Sequence, residues 1–204
     1  MKEVGMLFST DMVRAIIDGR KTQTRRLIKK FPASGYKWAG WITDSTCKKE
    51  IGSAAIVPTE DDVWNHQRAI YAKPPVSIED KIYVRETWQE SYDRKTDSWK
   101  PVYFAGNENK LWIDDGGIMK WNPSIHMPEK YARIWLDVTS ISVQKIKDIT
   151  EEEALAEGFV QNGCKARSRF WGYMVDKYGD RDKDENEFLD SWCWVITFIS
   201  KGHV

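Results

Sequence analysis

A basic, hydroxyl-rich segment lies near the start of the chain: Gly19-Arg20-Lys21-Thr22-Gln23-Thr24-Arg25-Arg26. It follows an apolar pattern at residues 12–18 that predicts a short helix capped by Ser9 or Thr10. Gly19 stands where a helix C-terminus favours a residue in the left-handed conformation. Lysine and arginine donate several hydrogen bonds, and threonine hydroxyls both donate and accept them. The segment therefore suits a phosphate, a carboxylate or the polar edge of a base, and the alternative is a solvated basic loop.

Charge and composition restrict the functions that the chain can have. The 204 residues include 31 basic and 31 acidic side chains, so any nucleic-acid contact must come from a local basic patch. The three cysteines and three histidines lack the spacing of a disulfide framework or a zinc site, and we expect no metal and no other cofactor. No signal peptide or membrane-spanning run is recognisable, which predicts a cytoplasmic protein without membrane contact.

Four apolar runs predict the strands of a central β core: Val4–Phe8, Ile82–Trp88, Ala132–Ile146 and Trp192–Ile199. The apolar positions of the third run change face, which predicts a bend near Thr139-Ser140. The last run is apolar at nearly every position and is expected to be buried on both faces. The pattern indicates an α+β fold.

Two further helices follow the third strand. Thr150 and Glu153 form a capping box, and Gly158 is expected to end that helix. A third helix is predicted from about Ser168 to a terminus at Gly179.

Two stretches without a sustained period, residues 31–75 and 89–120, are interpreted as insertions into one domain spanning residues 1–204. The first is rich in Gly, Pro and Trp, and we expect it to form an irregular lobe with short strands around residues 38–43. Its rings form either a small satellite core or a wall for a flat ligand. In the second, residues 101–105 indicate a strand and residues 114–117 a turn.

Glu86 is the most informative residue of the second strand. It alternates with Ile82, Val84 and Trp88, so its carboxylate is expected on an apolar face. A carboxylate in such a place needs a partner. Either the basic segment supplies that partner, or Glu86 belongs to a structural salt bridge.

Two prolines bracket a segment that carries two further polar candidates, Ser124 and His126. Because Pro123 and Pro128 restrict their neighbours, this segment is predicted to be extended and stiff. It either presents the two side chains to a ligand or holds His126 as a structural residue.

Together these pieces resemble the ASCH family of the PUA-like superfamily, and above all its larger members from phages and prophages. The matching segments, in chain order, are 19–26, 80–88, 123–128, 133–139 and 192–196. The resemblance spans nearly the whole chain but leaves both insertions outside. It implies a PUA-like β-barrel flanked by short helices, with a cleft beside the first helix.

The resemblance also implies candidate catalytic residues. Small ASCH proteins include an amidohydrolase that removes the acetyl group of N4-acetylcytidine with a lysine, a threonine and a glutamate. By motif match these roles fall on Lys21, Thr24 and Asp137. Because Asp137 is one methylene shorter than glutamate, Glu86 is the alternative carboxylate. Thr24 would be the nucleophile and Lys21 its base, which requires burial to lower the lysine pKa.

Three functions remain open at this stage. The first is binding of RNA or of a modified nucleobase or nucleoside in a basic cleft, with tryptophans stacking on unpaired bases. The second is hydrolysis of N4-acetylcytidine-type substrates, and the third is a phage module that contacts a protein partner through the aromatic insertions. The candidate ligand-binding residues are Arg20, Thr22, Arg25, Arg26, Arg85, Trp88, Trp121, Ser124 and His126.

Overall fold

The computed structural model describes residues 1–61, 67–106, 113–114, 117–118, 120–179 and 184–201. The fold is α+β and consists mostly of strands with a few short helices. The helices are α1 (Thr10–Ile17), α2 (Glu151–Ala156), α3 (Ala166–Tyr178) and α4 (Glu185–Leu189). The strands are β1 (Glu3–Leu7), β2 (Gln23–Leu27), β3 (Tyr36–Trp41), β4 (Ala54–Pro58), β5 (Ile70–Ala72), β6 (Lys81–Arg85), β7 (Trp88–Asp93), β8 (Ser98–Tyr103), β9 (Ile113–Asp114), β10 (Gly117–Ile118), β11 (Trp135–Lys145) and β12 (Trp192–Ser200).

The chain divides into two compact units that interleave along the sequence. Unit 1 comprises Met1–Thr22, Glu79–Val138 and Phe198–Val204, and unit 2 comprises Gln23–Ile78 and Thr139–Thr197. The stretch 31–75 thus falls in unit 2 and the stretch 89–120 in unit 1. The interpretation as one domain with two insertions stays a prediction.

The four strands expected for the β core belong to one sheet. Its order is β1-β6-β11-β12-β2. β1 runs parallel to β6, β11 pairs antiparallel with β6, and β12 pairs antiparallel with β2. Among the described residues the strands are not found to close into a barrel.

In unit 1, the basic segment leaves helix α1 through a turn. Met12, Val13, Ala15 and Ile16 bury one face of the helix. Gly19 has a φ of 71°, and its N–H donates to the Ile16 carbonyl at 3.0 Å. The next N–H, that of Arg20, donates to the Ala15 carbonyl at 2.9 Å. This pair of bonds is a Schellman motif, so the expected left-handed C-terminus is confirmed.

In unit 2, strands β2 and β12 pack against the helices. Phe170 and Met174 of α3 share a buried cluster with Cys193 and Val195 of β12. The residues Trp192–Ile196 and Phe198 are buried, as the apolar run predicted, but Thr197 is half-buried and Ile199 is exposed, so burial on both faces does not extend to the end of the run.

The capping box at the start of α2 is confirmed. The Thr150 hydroxyl accepts from the Glu153 N–H at 3.2 Å, and the Glu153 carboxylate accepts from the Thr150 N–H at 2.9 Å. Gly158 follows the helix with a φ of 93°. The third helix also ends before Gly179 but begins at Ala166, two residues earlier than Ser168.

Residues 31–75 include the short strand expected around residues 38–43, which is β3, but the stretch is more regular than predicted. They contain a three-stranded antiparallel sheet in the order β3-β4-β5, and every residue of β4 is buried. The pairing of β3 with β4 shifts between Trp38 and Gly40. Gly40 has a φ of 123°, a conformation that suits glycine, and the irregularity hides the period-two pattern of β3.

Three further predictions concern β11, the segment between Pro123 and Pro128, and the turn at residues 114–117. The alternation of β11 breaks at Thr139 and Ser140, which are both exposed. Ser124–His126 forms a 3₁₀ turn and is not extended, whereas Pro123, Met127 and Pro128 on either side of it have extended ψ angles of 146°, 119° and 153°. Each proline restricts its own φ and the residue before it, which leaves the three residues between them able to turn. β9 and β10 pair antiparallel, whereas residues 115–116, inside the predicted turn, lie outside the described residues.

Candidate functional site

The predicted site residues are divided between the two units. Unit 1 carries Arg20, Lys21, Thr22, Arg85, Glu86, Trp88, Trp121, Ser124, His126 and Asp137. Unit 2 carries Thr24, Arg25 and Arg26.

Glu86 lies on an apolar face, as its alternation with Ile82 and Val84 predicted. It is 1% exposed, and all its alternating neighbours are buried. Its partner is Arg133, whose Nε and Nη2 donate to Oε1 and Oε2 at 2.8 and 2.9 Å. Nη2 also donates to the Ala105 carbonyl at 3.2 Å. The two guanidinium nitrogens thus bind the two carboxylate oxygens in parallel, and this bidentate geometry is the strongest for an arginine–carboxylate pair.

One aromatic ring, that of Tyr103, lies against this ion pair, and Tyr103 in turn contacts Tyr131 and pairs with Trp88 across strands β7 and β8. We call the group of Glu86, Arg133, Tyr103, Trp88 and Tyr131 the Glu86–Arg133 centre. The guanidinium of Arg133 lies over the Tyr103 ring, 4.1 Å from its centroid. The Tyr103 hydroxyl donates to the Tyr131 carbonyl at 2.8 Å. The rings of Trp88 and Tyr131 are 5.0 Å apart. Burial raises the pKa of Tyr103, so its phenol stays protonated and continues to donate.

Trp88 brings an unsatisfied donor to the Glu86–Arg133 centre. Its ring nitrogen Nε1 is buried and has no hydrogen-bond partner among the described residues. Buried indole N–H groups are usually paired, so such a donor calls for an explanation. A polar ligand atom would satisfy it.

Lys21 and Thr24 are both 1% exposed. Lys21 lies in the turn between α1 and β2, where its N–H donates to the Ala15 carbonyl at 2.9 Å. Thr24 is the second residue of β2 and lies opposite Ile196 in β12. The burial that the hydrolase hypothesis requires of Lys21 is therefore present.

Asp137 differs from Glu86 in its surroundings. It is half-buried in β11 and forms an ion pair with Lys201, which is largely exposed. Because it lies in contact with a solvated lysine, Asp137 is the weaker candidate for a buried catalytic carboxylate.

Arg25 has its charge satisfied inside unit 2. Its side chain is 0% exposed and contacts Glu153 and Glu157, each at 3.1 Å. Nη2 donates to Gln144 Oε1 at 2.7 Å, and the guanidinium lies 5.6 Å from the Phe170 ring centroid. This network buries the Arg25 guanidinium completely and pairs it with two carboxylates of unit 2.

The other basic-segment residues keep more solvent contact. Arg20 is exposed and pairs with Asp18 at 2.8 Å. Thr22 has an exposed side chain, and its carbonyl accepts from the Phe198 N–H at 2.9 Å. Arg26 is half-buried and lies opposite Trp194 in the pairing of β2 with β12.

The remaining candidates of unit 1 lie around the 3₁₀ turn. Arg85 donates to the Ile125 carbonyl. Trp121 is half-buried and meets Phe104 edge to face at 5.2 Å. Ser124 is half-buried and His126 is exposed.

Sequence reasoning missed the members of the centre other than Glu86 and Trp88. Arg133 lies within a matched segment, 133–139, but nothing in the sequence paired it with Glu86. The signal that was available is physical: a carboxylate on an apolar face requires a cation, and Arg133 immediately precedes the buried Ile134 of the neighbouring strand pattern. Tyr103 and Tyr131 give no comparable signal.

No cluster of His, Cys, Asp or Glu suited to a metal ion occurs among the described residues. Within the same part of the chain, no helix is both long and apolar enough to cross a membrane. Comparisons with protein-family models, with curated proteins and with solved structures gave no match.

Proposed function

We propose that this protein binds RNA or a modified nucleobase or nucleoside, and that the Glu86–Arg133 centre of unit 1 recognises the base. We further propose that the chain is an ASCH protein whose sheet is a variant of the PUA-like barrel. The segment matches that suggested this family, 19–26 and 80–88 among them, supply the Lys21 turn and Glu86.

The observation that carries the proposal is the forked ion pair of Glu86 and Arg133 beside the Tyr103 ring. Base edges present adjacent donors and acceptors, and bases are held by aromatic stacking together with hydrogen bonds to these edges. Arg133 is 24% exposed and Glu86 1%, so the arginine is the member that a ligand meets. The unsatisfied Nε1 of Trp88 adds a donor.

Titration with cytidine, N4-acetylcytidine and uridine, followed by NMR or calorimetry, tests this proposal. We expect Arg133→Met to weaken binding at least tenfold, because a charge-assisted hydrogen bond contributes about 1.5–3 kcal/mol. Lys95→Ala is the matched control, since Lys95 is an exposed residue of unit 1 in the β7–β8 hairpin. Equal affinities of the two variants for every nucleoside would contradict the assignment of the site.

A second candidate function is hydrolysis of N4-acylated cytosine compounds. It is favoured by the burial of Lys21 and Thr24, because lysine and threonine side chains are mostly exposed in proteins. In this scheme the Thr24 hydroxyl attacks the acyl carbonyl, and its proton passes to the cytosine amine as that amine leaves. Water then releases the acid from the acyl-threonine.

Release of acetate and cytidine from N4-acetylcytidine, followed by chromatography, tests this alternative. Lys21→Ala and Thr24→Ala are expected to abolish turnover. Thr22→Ala is the matched control, because Thr22 is exposed and lies two residues from the buried Thr24. Absence of turnover in the unmodified protein, together with nucleoside binding, would reject hydrolysis and leave the binding function.

A further inference from the structure

A basic groove lies within unit 2, beside the end of β2. Its volume is about 630 Å³, within the range of roughly 300 to 1,000 Å³ found for ligand sites. Residues 27–30 form one wall and follow the basic segment 19–26 directly. The other walls come from Cys47, Lys49, Glu50 and Ser53 and from β5 with Lys73, and Trp194 of β12 also lines the groove.

Four exposed lysines line this groove: Lys29, Lys30, Lys49 and Lys73. Glu50 is the one carboxylate among the groove's lining residues. Across the described ranges, none of the four ammonium groups is paired with a carboxylate. Other exposed cations, such as Arg20 and Lys100, have such partners. In a chain without net charge, the groove is therefore a local concentration of uncompensated positive charge.

Aromatic side chains accompany the lysines. Tyr71 and Trp194 both line the groove, and the Trp194 ring stacks on Trp41 with 5.8 Å between centroids and 25° between planes. Burial raises the pKa of Tyr71, and the Glu50 carboxylate adds to the rise. The phenol thus stays protonated and can donate a hydrogen bond as well as offer its ring face.

The loop that carries Lys49 is held by its own backbone hydrogen bonds. The Ile42 N–H donates to the Ser53 carbonyl at 2.9 Å, and the Gly52 N–H donates to the Ile42 carbonyl at 2.7 Å. The Ser45 hydroxyl also donates to Glu50 at 2.8 Å. The groove wall is thus ordered before any ligand arrives, which lowers the entropy cost of binding.

We propose that this groove binds a strand of single-stranded RNA, with the lysines contacting phosphates and an unpaired base stacking on Tyr71. Sites for single-stranded nucleic acid combine positive charge along the phosphate backbone with aromatic side chains on which the bases stack. The inference rests on the proposed function and goes further, because it assigns a single strand of RNA to a second site, in unit 2. An acidic peptide would use the lysines but gain nothing from the stacking ring.

Fluorescence anisotropy with a labelled oligocytidylate of about ten nucleotides tests the inference over a salt series. The double variant Lys49→Ala/Lys73→Ala is expected to lose about tenfold or more in affinity at low salt. The negative slope of the log association constant against log salt concentration should become shallower by about 1.4, since each phosphate contact on a single strand contributes about 0.7. Lys48→Ala is the matched control, because Lys48 is exposed in the same loop but does not line the groove.

Two further variants separate RNA from other polyanions. Glu50→Gln removes the negative charge of the groove and is expected to tighten oligonucleotide binding a few-fold. Tyr71→Ala should weaken it about tenfold, within the range of about 1–3 kcal/mol per stacked base, whereas Tyr71→Phe should keep it. Circular dichroism spectra matching the unmodified protein are required of each variant.

Specific results would overturn the inference. The first is that Lys48→Ala lowers the oligonucleotide affinity as much as the double variant does. The second is that an abasic strand binds as tightly as RNA. The third is that a polyglutamate peptide displaces the labelled RNA at the same concentration as unlabelled RNA does. Nucleoside binding without oligonucleotide binding would reject the groove and keep the Glu86–Arg133 centre. Groove-dependent oligonucleotide binding without nucleoside binding would support the groove and reject base recognition at that centre.

Discussion

Arg133 holds both carboxylate oxygens of Glu86, at 2.8 and 2.9 Å. Because Glu86 is almost fully buried, we expect Glu86→Gln to lower the free energy of unfolding by about 2 kcal/mol, the scale of a charge-assisted hydrogen bond. Urea unfolding measures this change. The double variant Glu86→Leu/Arg133→Met should lose less stability than the single variants Glu86→Leu and Arg133→Met combined, since replacing both ions leaves neither charge unpaired. Additive losses would show that the two side chains are not coupled.

Arg25 gives a prediction that separates a structural role from a ligand-binding role. Arg25→Met leaves the buried Glu157 without its cation, and breaking such a pair costs about 3–5 kcal/mol. Arg14→Met is the control, because Arg14 and Asp11 form an exposed pair of the kind that contributes about 0–1 kcal/mol. If Arg25→Met kept full stability but lost RNA affinity, Arg25 would be a ligand contact after all.

The three thiols should differ in reactivity. Cys47 and Cys164 are exposed and Cys193 is buried, and burial raises the pKa of Cys193 from 9.0 to about 12. A thiol reagent at mildly alkaline pH should therefore modify two cysteines quickly and Cys193 only on unfolding. Fast modification of all three in the folded protein would contradict the packing of β12.

The same pKa shift affects stability at high pH. Above about pH 9 the unfolded state loses the Cys193 proton while the folded state keeps it up to about pH 12. The contribution of this thiol to stability is thus fully present below pH 9 and is lost as the pH rises toward 12. Urea titrations should show a steeper alkaline decline for the unmodified protein than for Cys193→Ala. Parallel declines would mean that the thiol is accessible to water.

Trp41 tests whether residues 31–75 belong to the core of unit 2. Its ring stacks on the buried Trp194, so Trp41→Ala should lower the free energy of unfolding by roughly 1–2 kcal/mol. Trp99→Ala is the control, because Trp99 is 61% exposed whereas Trp41 is 37% exposed. Equal small effects of the two variants would show that this stretch is not part of the core of unit 2.

Elements with strong local signals could be predicted from the sequence. The Gly19 turn, the Thr150 capping box and the buried run at Trp192–Ile196 depend on neighbouring residues alone, and each formed as expected. The alternation at residues 81–88 likewise placed Glu86 on a buried face. The α+β class follows from these elements.

Features that depend on distant residues could not be predicted. Arg133 is the partner of Glu86 across 47 positions, and Arg25 meets Glu157 across 132. Neither pairing has a local signature in the sequence. The shift near Gly40 breaks the alternation of β3 and hid the second sheet.

The groove could be anticipated only in part. Lys29 and Lys30 continue the basic segment in the sequence, which is a usable signal. Lys49 and Lys73 join them only because strands β4 and β5 pair, and the loop before β4 folds back on itself.

A crystal soaked with N4-acetylcytidine tests the central claim most directly, that the Glu86–Arg133 centre recognises a nucleobase. We expect electron density for the base beside the Arg133 guanidinium, with a polar base atom within about 3.2 Å of a guanidinium nitrogen or of Trp88 Nε1. Density for cytidine and acetate there would support hydrolysis as well. A clear ligand elsewhere, or no ligand at a concentration at which binding in solution is saturated, would contradict the claim.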